Sequence, residues 1–346
     1  MEKAELWLDD GQGRITCTAC IKRCKIQKDR TGVCQTRENK DGILYSLTYG
    51  QISCVAVDPI EKKPLFHFYP GTQVYSVGGW GCNFNCGMCQ NHDIAHIVPN
   101  LKKDTEVSPE KIVKSAIETG SRGVAFTYNE PAIWPEYVKD TFRFAKKHDL
   151  YTVLVTNGSS TKDSLDYYGP YCDAYRVDIK TMTDVSIARI GVLGIDPEEI
   201  LNNTVYAKDK WGMHVECVTN IIPSVNDSEN ELKSIAIWIR DNLGSRVPWH
   251  VTRFYPALRF RHLMPTDLAT LEMAERIGKQ TGLSYVYVGN IKTPNGENTF
   301  CPRCQSLVIQ RDGFKVLQNL TAAGRCTKCG ETLGVIESDV RKQYRE

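Results

Sequence analysis

Short β-branched or aromatic runs recur between residues 72 and 293, each followed by a polar tip and then by a segment whose apolar positions return with helical period. The runs VYSVGGW, GVAFTY, YTVLVTN, AYRVDIK, HVECVTNII, WHVTRFY and SYVYVGN read as largely buried strands. Between them, Ser108 caps and Pro109 opens a helix with Ile112, Val113, Ala116 and Ile117 on one face. Trp134, Tyr137, Val138, Phe142 and Ala145 make a second stripe, and Leu232, Ile235, Trp238 and Ile239 a third. Gly244 and Gly282 stand where helices end. Strand alternating with helix predicts parallel βαβ units. About 220 residues at roughly 30 or more per unit give six or seven of them, short of an eightfold closure. The expectation is an α/β chain built on a partial (β/α) TIM-like barrel. It divides into an N-terminal Cys-rich region at 1–71, the barrel at 72–293 and a C-terminal zinc-ribbon-like module at 294–346.

The polar tips fall at the C-terminal ends of the strands, the rim on which barrels bind ligands. They are Asn129-Glu130-Pro131, Thr156-Asn157-Gly158, Asp178 with Lys180, Asn220, and Gly289-Asn290. Any one of them could be an ordinary turn, but Glu130, Asp178 and Lys180 carry charge that turns do not need.

Composition narrows the setting. Lys and Arg total 43 against 41 Asp and Glu, a net charge of +2, so bulk electrostatics favour neither nucleic acid nor an anionic membrane. The N-terminal residues lack the apolar core of a signal peptide, and no run approaches the roughly 18 apolar residues of a span. A cytoplasmic location is expected. In a reducing compartment 14 cysteines point to metal rather than to disulfides. Eleven of them cluster: Cys17, Cys20, Cys24 and Cys34; Cys82, Cys86 and Cys89; and Cys301, Cys304, Cys326 and Cys329. Cys54, Cys172 and Cys217 read as small buried hydrophobes.

The middle trio sits in WGCNFNCGMCQN, a Gly- and Asn-rich loop directly after the first strand. Three thiolates there can converge on a 4Fe–4S cluster and leave one iron open, the mark of a catalytic rather than a structural centre. A zinc completed by a distant histidine, or three unrelated thiols, is the alternative. The C-x3-C-x2-C spacing after the first strand of a partial barrel resembles the radical S-adenosylmethionine (SAM) superfamily. With DPIEKKPLFHFYPGT upstream and FTYNEP, TNG, VDIK and WHVTRFYP downstream, the chain is similar to the pyruvate formate-lyase activating enzyme branch, and most similar to the AmmeMemoRadiSam system radical SAM enzymes.

The resemblance implies that Cys82, Cys86 and Cys89 ligate the cluster and that SAM binds its open iron. It further implies that Asn129 and Glu130 meet the SAM amino group, that Thr156 and Asn157 line the SAM pocket, and that Asp178 and Lys180 contact its ribose and carboxylate region. His250 would be a rim histidine of the same pocket. Tyr128 and Asn129 replace the family's glycines, Val155 replaces a frequent Asp, and Met88 stands in for the aromatic that packs near adenine. A polarizable thioether can take that place.

On the flanks, Cys301-x2-Cys304 and Cys326-x2-Cys329 are separated by 21 residues around a hairpin-like stretch, a zinc-ribbon pattern, with a rubredoxin-like iron or a second cluster as alternatives. The N-terminal C-x2-C-x3-C-x9-C set reads as a zinc site or an auxiliary iron–sulfur cluster. The absence of ferredoxin spacing favours zinc. Basic residues among these cysteines are a solvated face or a docking patch, either for a flavodoxin- or ferredoxin-type electron donor or for RNA. Two function classes follow. One is a radical SAM enzyme acting on protein or RNA, with glycyl-radical activation of a partner as its variant. The other is a non-catalytic multi-metal binding module.

Overall fold

The computed structural model describes residues 1–97 and 105–337. Its centre is one eight-stranded sheet in which chain order is also spatial order. The strands are β1 (Cys54–Pro59), β2 (Gln73–Gly78), β3 (Gly123–Phe126), β4 (Tyr151–Thr156), β5 (Ala174–Asp178), β6 (His214–Ile221), β7 (Trp249–Arg253) and β8 (Val286–Gly289). β1 runs antiparallel to β2, with Cys54 opposite Gly78. Every later pair is parallel, as in Val124 opposite Tyr75 and Val177 opposite Cys217. Parallel neighbours need crossovers. Here they are α1 (Pro109–Glu118), α2 (Pro135–Lys147), α3 (Lys162–Tyr168), α4 (Asp184–Ile190) with α5 (Pro197–Trp211), α6 (Glu229–Trp238) and α7 (Leu268–Gln280). Repeated crossovers of one hand keep the helices on one face and curl the sheet. β1 and β8 stand at the two edges of the sheet, and among the described residues the barrel does not close.

All seven runs read as strands form strands, and their period of two sorts the side chains. Val124, Phe126, Leu154, Tyr175, Cys217 and Trp249 face the helices and bury against Tyr137, Phe142, Leu165, Ile235 and Leu271. Ser108 accepts the Lys111 amide at 3.3 Å and fixes the start of α1. Cys172 and Cys217 are buried as expected, whereas Cys54, on the edge strand, is only partly covered.

The concave face is plugged from below by the segment after β1. Ile60, Leu65, Phe68 and Tyr69 pack on Val74, Ala125, Tyr151, Val153 and Ala174. The plug and β1 thus complete the sheet from the N-terminal side. Fully buried Glu216 of β6 pins the plug by accepting the amides of Phe66 (3.0 Å) and His67 (2.8 Å). It also bonds the rings of His214 (2.9 Å) and His250 (2.7 Å). Burial alone would raise the Glu216 carboxyl, but the two histidines outweigh it and hold it well below the usual range.

His67 meets the Tyr287 hydroxyl at 2.7 Å, and burial pushes its pKa down to about 3. Because the unfolded chain then binds the extra proton first, this contribution is intact above the ordinary histidine pKa and is lost progressively as pH falls from about 6.5 towards 3. His67 alone should remove about 2 kcal/mol of stability between pH 7 and pH 5. His67→Gln should flatten the dependence of the urea midpoint on pH over that interval; an unchanged slope would show that the ring does not titrate on unfolding.

The C-terminal module seals the same end. Its strands Leu307–Asp312 and Lys315–Asn319 form a hairpin from which buried Arg311 donates to the Phe66 carbonyl at 2.7 Å, its guanidinium 4.4 Å from the Phe66 ring centre. Ile336 pairs with the plug, its amide 2.7 Å from the His67 carbonyl oxygen. Residues 338–346 of the module expected at 294–346 lie outside the described residues. Among the described residues no helix is long and apolar enough to cross a membrane.

Candidate active site

β2 runs directly into the loop Gly79–Asn91 that carries Cys82, Cys86 and Cys89. A side chain on Gly79 would stand 2.7 Å from the Trp134 ring, and Gly81 takes φ 81°, so both positions need glycine. Asn129 clamps the start of the loop, accepting the Gly79 amide (3.1 Å) and donating to the Gly81 carbonyl (2.9 Å). Further on, Gly87 donates to the Ile190 carbonyl at 2.7 Å and accepts the Arg259 amide at 3.0 Å. The three thiols are partly exposed and lie within electrostatic reach of one another; as bare thiols, burial pushes all three up. A bound metal would reverse this, because a coordinating thiol is deprotonated. Three thiols on one clamped loop fit a cluster that takes three protein ligands.

The loop opens onto a cavity of about 310 Å³, at the small end of the ~300–1,000 Å³ typical of small-molecule sites. Successive strand ends supply its walls: Asn129 and Glu130 after β3, Val155, Thr156 and Asn157 at β4, Arg176, Asp178 and Lys180 at β5, and Asn220 at β6, with Met88 beside the last thiol. The residues assigned to the SAM pocket by resemblance are thus brought together, with one exception, while Gly289 and Asn290 of the expected rim are not among the lining residues.

That exception is His250. The alternation of β7 does turn it inward, but a layer below the rim, where it is buried, bonded to Glu216 and stacked on Tyr287 at 5.1 Å. It belongs to the plug network and not to the cavity wall.

Two of the acidic residues are already engaged by the chain. Glu130, buried, accepts the amides of Asn157 (2.7 Å) and Ala132 (3.0 Å) and the Thr156 hydroxyl (2.8 Å). It ties the tips of β3 and β4 together, and burial lifts its pKa to about 7. Asp178 lies between Lys180, at 3.1 Å, and Arg176. Burial works against its charge, but Arg176 and Lys180 outweigh it and keep its pKa low. Cations and carboxylates so interleaved suit a zwitterionic ligand. Arg176 was absent from the sequence reading, although its shared parity with Asp178 on an otherwise apolar strand was a usable signal. Lys63 was missed as well. It reaches the cavity from the plug, is bound to Asp58 at 2.6 Å and lies 4.7 Å from the Tyr128 ring centre.

The terminal cysteine sets differ in spacing. Cys301 and Cys329 sulfurs stand 3.5 Å apart and those of Cys304 and Cys326 3.8 Å, all four within 4.8 Å of one another. Sulfurs about 2.3 Å from one tetrahedral ion have such separations. Among the described residues this is the one cysteine set that closes so tightly.

A model of the radical SAM superfamily matches residues 78–238. The uncharacterized protein MJ0808 of Methanocaldococcus jannaschii is 38% identical over 331 residues, covering 95% of this chain and 97% of that protein. The pyruvate formate-lyase-activating enzyme of Clostridium pasteurianum is 24% identical over 176 residues, 46% of this chain and 67% of that protein. Among solved structures, a radical SAM methyltransferase from Sphaerobacter thermophilus aligns with a TM-score of 0.50 at 17% identity, covering 64% of this chain and 67% of that one, a likeness of fold.

Proposed function

We propose that this chain, a member of the radical SAM superfamily, falls in the branch of the pyruvate formate-lyase activating enzymes, binds SAM at a 4Fe–4S cluster held by Cys82, Cys86 and Cys89 and abstracts hydrogen from a protein or RNA substrate. The observation that carries the reading is the convergence of the three-thiol loop and four strand ends on one charged cavity. When bound, the cluster supplies the electron that splits the carbon–sulfur bond of SAM, leaving methionine and a 5′-deoxyadenosyl radical.

The rest is done by the chain. Lys180 offers its ammonium to the ligand carboxylate. Asp178 and the remaining acceptor capacity of Glu130 face its ammonium, and Met88 and Val155 give its base an apolar wall. Asn83 braces the arrangement, accepting from the Asn157 amide at 3.0 Å and donating to the Ser159 hydroxyl at 2.6 Å. The C-terminal quartet holds zinc and staples a module that supports the plug.

A large substrate is favoured by the surface around the mouth. The segment after β7 leaves Tyr255 45% and Met264 77% exposed, and Gln90 of the cluster loop donates to the Tyr255 carbonyl at 2.9 Å. An exposed edge of this kind, tied to the cluster loop through Gln90, leaves room for a large partner to dock. The reduced enzyme, given SAM and deuterated cell fractions separated into protein, RNA and small molecules, should place deuterium in 5′-deoxyadenosine only with protein or RNA. Transfer from the small-molecule fraction alone would contradict the reading. The activating-enzyme relatives favour one particular protein case, a glycyl radical on a partner, which electron paramagnetic resonance would show directly.

A further inference from the structure

We propose that the floor of the cavity, where Lys63 and Arg176 meet, is a subsite for a carboxylate of the substrate, so that a protein substrate inserts an aspartate or glutamate side chain beside SAM. This rests on the function proposed above and names the chemistry of what that site acts on. Four cations line the cavity, Lys62, Lys63, Arg176 and Lys180, against two carboxylates, Glu130 and Asp178. Glu130 is already occupied by the amides of Asn157 and Ala132. Lys180 lies within electrostatic reach of Cys86, on the side where SAM binds. Arg176 stands two residues before Asp178 on β5, roughly 7 Å deeper.

Both floor cations are fixed in place and keep donors for a ligand. Asp58 accepts Lys63 at 2.6 Å, Lys62 and Ser76 at 2.9 Å each, and the Tyr128 hydroxyl at 2.7 Å. A carboxylate offers about four acceptor sites, so Asp58 is saturated and its one negative charge is shared between two lysines. Lys63 is 2% exposed, and among the described residues only one of its three N–H donors is hydrogen-bonded. Burial draws its pKa down to about 8 in spite of Asp58, so a further anion beside it would restore its charge. Arg176 donates through Nε to the Lys63 carbonyl at 2.7 Å and through Nη1 to Asp178, and its Nη2 is bonded to nothing among the described residues.

Size and backbone conformation point the same way. A cavity of about 310 Å³ that also takes SAM has room for a side chain rather than for a nucleotide. Tyr128 holds φ 73°, a conformation that bulky residues rarely adopt and that recurs at ligand clamps. That turn sets its ring 4.7 Å from the Lys63 ammonium and its hydroxyl on Asp58. An ammonium and a guanidinium brought to one spot match the two oxygens of a carboxylate.

The test uses the full chain with its cluster reconstituted and oxidised and with SAM bound, titrated with small probes by saturation-transfer nuclear magnetic resonance. The probes are the Nα-acetyl carboxamides of aspartate and glutamate, their asparagine and glutamine isosteres, and uridine 5′-monophosphate. An acid probe should bind at least about tenfold more tightly than its amide, the difference a charge-assisted contact makes. Asp58→Asn together with Lys63→Met, which leaves no carboxylate stranded, should erase that preference, and Lys63→Arg should keep it. A lysine that merely braces Asp58 predicts no preference in the parent chain, a comparison that needs no variant to fold. Acid and amide probes that bind alike or not at all, or a nucleotide that binds most tightly, would overturn the proposal. So would acid probes that bind only when SAM is left out, since the two cations would then be holding the carboxylate of SAM. Cleavage of SAM by the reduced parent without any probe reads the function proposed above separately, so either can fail alone.

Discussion

Cys86→Ala will abolish SAM cleavage, lowering it more than about a thousandfold, because three thiols that act as one unit fail together when any is removed. The position is partly exposed and its loop is fixed by neighbours: Gly87 is held by Ile190 and Arg259, and Gly79 and Gly81 by Asn129. The variant should therefore fold, keep whatever metal the C-terminal quartet holds and lose about four irons relative to the parent. Cys54→Ala, on the edge strand outside the loop, should retain both iron and activity. Iron and sulfide analysis beside a product assay reads both variants. Parent-like cleavage by Cys86→Ala would mean that the metal is held elsewhere.

Glu136→Gln should cost about 3–5 kcal/mol, the penalty for stranding a buried charge. Glu136, near the start of α2, pairs in two-pronged fashion with Arg37 of the N-terminal region, the two side chains 3% and 1% exposed. Burial would raise its carboxyl, but Arg37 outweighs this and lowers it, and the Glu5 amide donates at 3.1 Å. This pair is a main fastening between the N-terminal region and the sheet, so its loss should lower the urea midpoint and speed proteolysis within residues 1–53. Arg37→Met together with Glu136→Leu should recover most of the stability, since an apolar pair of similar volume is often neutral. A single-variant cost below about 1 kcal/mol would show that water reaches the guanidinium.

Legibility followed the range of the interactions. The seven parallel strands and the capped α1 could be read because period and capping are local. The plug could not: PLFHFYP is apolar without period, and its partners on β2, β3, β4 and β5 lie in distant sequence. The same holds for Arg37 with Glu136, 99 positions apart. At the site, the strand tips announced the rim, and parity placed His250 inside. Depth along a strand, which separates His250 from the wall two residues nearer the rim, depends on where the plug stops. Cysteine spacing showed that three sets exist. Only the sulfur separations show that the C-terminal set closes around one ion-sized space.

The most direct test is to reconstitute the full chain anaerobically, confirm the cluster by its spectrum, reduce it and add SAM. Methionine and 5′-deoxyadenosine should appear in equal amounts, and only when reductant is present. SAM recovered intact from reduced enzyme with a verified cluster would contradict the assignment of Cys82, Cys86, Cys89 and the adjoining cavity as a radical SAM centre.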